Sequence, residues 1–318
     1  MGLIEQAARR LEELRRSGVV IPDTWPTESS AGAGPQPAND VYGARSSGGN
    51  VPEPGSGHMA PAVPQRPPKA SESVAREVRI DLVALADKGY LSPDRPRSRI
   101  ADEFRVIKRP LLNNIVSGQR GSRGNPPNLV MVTSSLPNEG KTFVSVNLAM
   151  SLAMELDKTV LLVDADVARP SVLQRLGLEP TKGLLDLLTD SQLDFADVLL
   201  RTNVDGLSIL PAGTSQDRAT EILASDKMMS LLEDLSGRYP ERIVVFDAPP
   251  LLPSTESRVL ATHMGQVVFV VEAARTRSAD IERALQTIES CEAVFPLLNK
   301  GHRSEVGTYY GYYGPRDD

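Results

Sequence analysis

The sequence predicts an α/β fold, a mostly parallel sheet with helices on both faces. Three observations predict it. Short apolar runs alternate with helical patterns between about residues 76 and 300, the order that builds parallel sheets through crossover helices. One of these runs enters a loop that closes on Gly140-Lys141-Thr142 and continues into a helix. Two others end on aspartates, at Asp164 and Asp247.

Taken in order, residues 3–16 (LIEQAARRLEELRR) set Ile4, Ala7, Ala8, Leu11 and Leu14 on one helical face. That predicts an amphipathic helix over 1–18. About four turns of helix are marginal alone in water, so the stripe docks on its own domain, on a partner or on a membrane surface. Residues 21–70 hold ten prolines and seven glycines, which predicts a disordered linker over 19–75. Next, IDLVALADKGYL and IADEFRVIKRPLLNNI read as partly helical, the second ending near Pro110. Strands are predicted at 128–133 (NLVMVT), 159–166, 207–210, 242–248, 266–273 and 294–299. Helices are predicted at 142–155, 219–237 and 277–290. The domain therefore spans 76–300, and a flexible tail follows over 301–318.

Composition bounds the function. The 318 residues carry a net charge of −6, which excludes a whole-chain basic footprint for nucleic acid. A single cysteine, Cys291, excludes an internal disulfide framework and suggests a reducing compartment. No apolar run approaches the ~18 residues of a membrane span. The first twenty residues carry Glu5, Glu12 and Glu13 without a long apolar core, unlike a secretory signal. A cytoplasmic protein is expected. The three histidines, His58, His263 and His302, form no metal-like spacing.

The loop SSLPNEGKT matches the end of the phosphate-binding pattern G-x-x-x-x-G-K-[ST]. Loop N–H groups and the helix start face phosphates in such a loop. Lys141 is suited to β- and γ-phosphates, and Thr142 to Mg²⁺. Lysine at a helix start opposes the dipole, so an anion explains it better than a plain polar turn does. Ser135 departs from the pattern, standing where the first glycine belongs. In TVLLVDAD, Asp164 and Asp166 are two apart and share one face of a strand. Asp247 closes RIVVFDA. Open α/β sheets bind ligands at these carboxyl ends, and phosphoryl transfer needs both a metal and a proton acceptor.

Four of the seven tyrosines fall in the last ten residues: Tyr309, Tyr310, Tyr312 and Tyr313. Gly307, Gly311, Gly314 and Pro315 keep TYYGYYGPRDD from helix or core. The phenols are then either a sticky terminal segment or phosphate acceptors. Each phosphate would add about −1.5 to −2 charge.

With these residues in view, the sequence resembles the bacterial tyrosine kinases of polysaccharide assembly. It looks closest to the stand-alone autokinases of exosortase-linked exopolysaccharide loci. SSLPNEGKT resembles that family's Walker A loop, LLVDADVARP its Walker A′ motif and IVVFDAPP its Walker B motif. LPAGTSQDRATEILAS and TYYGYYG resemble further stretches. The resemblance implies a P-loop NTPase fold and an ATP- and Mg²⁺-dependent protein-tyrosine autokinase. It implies catalytic roles for Lys141, Asp164, Asp166 and Asp247, with Asp164 accepting the phenolic proton. Metal ligands would be Thr142, Asp166 and Asp247. Nucleotide contacts would come from Ser135, Asn138, Glu139, Gly140, Lys141, Thr142, Phe143 and Asn299. The family's E-x-x-R-x-x-R assembly signature is met by Asp102, Arg105 and Lys108, implying a ring-like homo-oligomer that phosphorylates the tail of a neighbour in trans. Relatives often carry Arg at the position of Ala168, whereas Arg169 is kept. Some relatives also carry a transmembrane adaptor region in the same chain. A separate membrane chain-length or adaptor protein would then recruit this one to the inner face of the plasma membrane, and a cognate tyrosine phosphatase would reverse it. Regulation of exopolysaccharide or capsule export is implied by the resemblance alone.

The nearest rival is a MinD/ParA-like ATPase switch without kinase activity. Such proteins place a second lysine where this loop has Leu136, and no tyrosine tail is expected of them. A GTPase would want N-K-x-D, but Asn299-Lys300-Gly301-His302 puts histidine at the aspartate position. A degenerate scaffold is disfavoured by the intact Lys141, Thr142, Asp164, Asp166 and Asp247.

Overall fold

Each apolar run of the sequence becomes a strand of one sheet. The strands are β1 (Arg76–Val78), β2 (Leu129–Ser134), β3 (Thr159–Asp164), β4 (Leu200–Thr202), β5 (Leu207–Leu210), β6 (Arg242–Asp247), β7 (Gln266–Glu272) and β8 (Val294–Asn299). The computed structural model describes residues 75–118, 124–239 and 241–301. The predicted N-terminal helix, the linker up to residue 74 and the tail from His302, with its four tyrosines, lie outside the described residues.

The sheet order is β1-β4-β5-β3-β6-β2-β7-β8. All neighbours pair in parallel except β4 with β5. Strand alternation sorts the side chains. Val130, Val132 and Val245 enter one core with the helices α2 (Arg99–Ser117) and α3 (Lys141–Ala153). Met131, Val163 and Phe246 enter the other, against α5 (Leu184–Thr189), α8 (Asp226–Gly237), α9 (Thr255–Ala261) and α10 (Ser278–Gln286). Central strands buried on both faces read as unbroken apolar runs, which is why the sequence announces them. The remaining helices are short: α1 (Leu82–Asp87), α4 (Val172–Leu176), α6 (Phe195–Val198) and α7 (Ala219–Leu223). No described helix is long and apolar enough to cross a membrane.

The structure corrects three expectations. Helix α2 does not end near Pro110 but runs through it to Ser117. Pro110 is exposed while Leu111 and Leu112 are buried, so core packing outweighs the helix penalty of one proline. The single helix expected over 219–237 is two, α7 and α8. Ser225 caps the second, its hydroxyl accepting from the Met228 N–H, as a serine at such a junction favours. Strands β1 and β4 are additional, each of three residues, too short to show a period.

Register positions the site. Asp164 of β3 stands directly beside Asp247 of β6, and Asp247 beside Val132 of β2. Neighbouring strands lie about 4.8 Å apart. Three adjacent parallel strands thus deliver two aspartates and the phosphate loop to one carboxyl edge, where open α/β sheets bind ligands.

Candidate active site

The loop between β2 and α3 needs glycine at its end. Gly140 has φ +100°, and a Cβ there would meet the Asn299 amide at 2.0 Å, so any other residue would be strained and would displace Asn299. Asn138 is also left-handed, φ 68°, a conformation asparagine tolerates. Glu139 is buried, and its carboxylate accepts from the Leu136 N–H at 2.7 Å and from the Thr276 hydroxyl. Its side chain therefore braces the loop, and only its backbone is free to meet an anion. Asn299 likewise donates to the Glu139 carbonyl at 2.9 Å. The Phe143 ring rests on Tyr90, centroids 4.9 Å apart, turned into packing. Ser135 is buried, and its hydroxyl has no hydrogen-bond partner among the described residues. Lys141 is the buried first residue of α3.

The aspartates meet beside this loop. Asp247 is fully buried. Its Oδ1 accepts from the Ser145 hydroxyl at 2.9 Å, and Oδ2 has no partner among the described residues. Burial pushes its carboxyl up to about 6, against the pull of the nearby Thr142 and Ser145 hydroxyls and of the Lys141 charge. Asp164 accepts at Oδ2 from the N–H groups of Ser171 and Val172, each at 3.0 Å, while its buried Oδ1 is unpartnered among those residues. Burial, and then the neighbouring Asp247, push it up to about 8. Asp166 is also raised by burial, opposed first by Lys141. The Thr142 hydroxyl lies 2.9 Å from that of Ser171.

Two adjoining buried carboxylates, each with an orphaned oxygen, are costly unless a cation or proton satisfies them. With the Thr142 hydroxyl alongside, they suit a hard, oxygen-seeking ion such as Mg²⁺. Among the described residues no group of three or more His, Cys, Asp or Glu side chains could hold a metal unaided. A cation shared with phosphate oxygens needs fewer protein ligands.

The assembly signature divides. Asp102 and Arg105 are exposed and pair with each other, and Arg105 also donates to the Pro96 carbonyl at 3.2 Å. Lys108 does not share their surface. It is 5% exposed and donates to the Ser151 carbonyl at 2.6 Å, with Glu155 at 2.7 Å. Six residues advance a helix by about 600°, or 120° short of two turns, which swings Lys108 onto the C-terminal end of α3.

Sequence reasoning passed over Ser145, Ser171 and Asn147. Asn147 accepts from the Leu91 N–H at 2.6 Å and donates to the Phe143 carbonyl at 2.7 Å. The signal was present: Ser145 and Asn147 interrupt an apolar helix one turn after Lys141, and buried polar groups are there for a partner.

A parallel sheet, a glycine-closed lysine loop and acidic strand ends define a P-loop nucleoside triphosphatase. Comparison with known proteins narrows the class. A family model described as AAA domain matches residues 138–297. The tyrosine-protein kinase YwqD of Bacillus subtilis is 28% identical over 233 residues, 73% of this chain and 93% of that protein. The tyrosine-protein kinase ptk of Acinetobacter johnsonii is 33% identical over 182 residues, 57% of this chain but 24% of ptk. The crystal structure of the VpsO kinase domain aligns with a TM-score of 0.51 at 28% identity, covering 64% of this chain and 100% of that domain. The chain belongs to the AAA-domain family of P-loop NTPases and, within it, to the bacterial tyrosine kinases.

Proposed function

We propose that this kinase transfers the γ-phosphoryl group of ATP to the tyrosines at its own C-terminus, reaching them in a neighbouring copy. The observation that carries the reading is the Asp164–Asp247 pair, buried, adjacent and incompletely partnered beside a lysine-bearing phosphate loop. Lys141 and the amides of the loop bind the β- and γ-phosphates. Thr142, Asp166 and Asp247 would hold Mg²⁺. The ion supplies charge neutralisation at the phosphate oxygens.

The remaining roles belong to the chain. A phenol with a pKa near 10 arrives protonated. Asp164 accepts that proton at its free Oδ1, while the amides of Ser171 and Val172 fix the carboxylate by its other oxygen. The phenolic oxygen bonds to the γ-phosphorus as the bond to ADP breaks. The transition state is loose, so positioning and charge outweigh the base. Exposed Asp102 and Arg105 belong to a surface for self-association. A membrane adaptor protein recruits the assembly, a phosphatase reverses it, and tail phosphorylation regulates polysaccharide export. These partner and pathway roles rest on the motif resemblance.

Incubating the purified chain with Mg-ATP and mapping phosphate by mass spectrometry tests the reading. Phosphotyrosine at 309–313 that disappears in Lys141→Met is expected. Steady ATP hydrolysis with an unmodified tail would assign the protein to the switch ATPases.

A further inference from the structure

Two consecutive carbonyls of the phosphate loop are held from outside by the end of β8. Asn299 donates through Nδ2 to the Glu139 carbonyl at 2.9 Å. Lys300, the next residue, donates through Nζ to the Asn138 carbonyl at 2.6 Å. A trans peptide is planar, so its N–H points away from its C=O. Drawing these two carbonyls outward turns the amides of Glu139 and Gly140 the opposite way, as donors for a bound anion. A flipped peptide would instead present a carbonyl oxygen to phosphate.

Lys300 is itself held in place. Its Nζ lies 3.2 Å from Glu272 Oε2. Its backbone is left-handed, φ 57°, as is that of Asn138 at 68°. A lysine adopts this conformation only where surrounding contacts impose it. Gly140 leaves room for Asn299, whose amide nitrogen would lie 2.0 Å from a Cβ at that position.

We infer that Lys300 is a positioning residue, whose ammonium presets the phosphate loop for nucleotide by holding the Asn138 carbonyl. The inference rests on the nucleotide-binding reading above and deepens it. Because the Lys300 side chain is 43% exposed, the competing explanation is a long-range attraction between its charge and the phosphates. Salt separates the two, since screening removes an exposed long-range charge effect and spares a direct bond.

The test measures the Kd of the full chain for the fluorescent nucleotide mant-ADP with Mg²⁺, at low salt and at about 0.5 M salt. Lys300→Met keeps the aliphatic stem and removes the donor. It is expected to weaken binding roughly tenfold at both salt concentrations, the size of one charge-assisted hydrogen bond. Lys300→Arg restores a charged donor and is expected to recover most of that loss, which a general loosening of the fold would not allow. The melting temperature of the nucleotide-free chain should hardly move. An unchanged Kd in Lys300→Met, or a loss that vanishes at high salt, overturns the inference. So does an arginine variant that folds yet binds no better than the methionine one. If the unmodified chain bound no mant-ADP, the phosphate-loop reading itself would fall, and that failure is distinguishable because it precedes any substitution.

Discussion

Asp164 and Asp247 show how a site is recognised by what is missing around it. Each is buried, each has one oxygen satisfied by the chain, and each leaves the other oxygen without a partner among the described residues. Burial pushes the two carboxyls up, to about 8 for Asp164 and about 6 for Asp247. An unfolded aspartate releases its proton near pH 3.9. The folded chain therefore binds more protons above that pH, and stability falls as pH rises through the raised values. This contribution is complete below about pH 4 and gone above about pH 8. Asp164→Asn keeps an acceptor for the Ser171 and Val172 amides while removing the charge. It is expected to raise the melting temperature of the nucleotide-free protein at pH 8 by on the order of 2–4 °C, and to abolish most tyrosine phosphorylation. A lower melting temperature at pH 8 would contradict the account of a strained pair. Ser145→Ala has the opposite sign. It removes the hydroxyl that donates to Asp247 Oδ1 and should lower stability by about 1–2 kcal/mol in thermal unfolding, while raising the Mg²⁺ concentration needed for half-maximal activity.

Helices and strands differ in how much of their role a sequence exposes. The central strands were legible because burial on both faces makes unbroken apolar runs, and their terminal aspartates stand out against such runs. Lys141 and Thr142 were legible from spacing alone. The bracing of the loop was not, because Glu139, Thr276 and Asn299 lie far apart along the chain and meet only through the sheet order. Helix α2 failed for a different reason. Charge at a three-residue spacing suggests one face, yet the helical drift carries Lys108 to the interior, and Pro110 proves compatible with a helix whose next two residues are core. The element then carries an exposed ion pair on one face and a buried lysine on another. Lys108→Ala strips the carbonyl of Ser151 and the carboxylate of Glu155 of their partner, with an expected loss of about 1–3 kcal/mol in denaturant unfolding. Asp102→Ala with Arg105→Ala touches an exposed pair worth little to stability. That double variant should melt normally and yet show a lower assembly mass by light scattering. A normal mass would withdraw the self-association surface.

At the scale of the whole molecule the prediction concerns whose tail enters whose site. Lys300 contacts Asn138 of the phosphate loop, and Gly301, the last described residue, follows it. Tyr309 is eight residues beyond Gly301, and eight extended residues span at most about 29 Å. Reach therefore permits transfer within one chain as well as between chains, and kinetics distinguishes the two. Transfer within a chain is first order and indifferent to dilution. Transfer between chains slows on dilution unless an assembly holds the tail at an effective concentration near the millimolar range. A mixing experiment separates the routes. One partner is Lys141→Met, with a disabled site and an intact tail; the other is a chain ending at Gly301, with an intact site and no tail. Phosphotyrosine on the Lys141→Met tail is expected, and it should fall when Asp102→Ala and Arg105→Ala are added to both partners. If the tail of Lys141→Met stays unmodified while the unmodified chain phosphorylates itself at a rate independent of concentration, the transfer is intramolecular. The short sequence between Gly301 and Tyr309 would then be the tether to the site it serves.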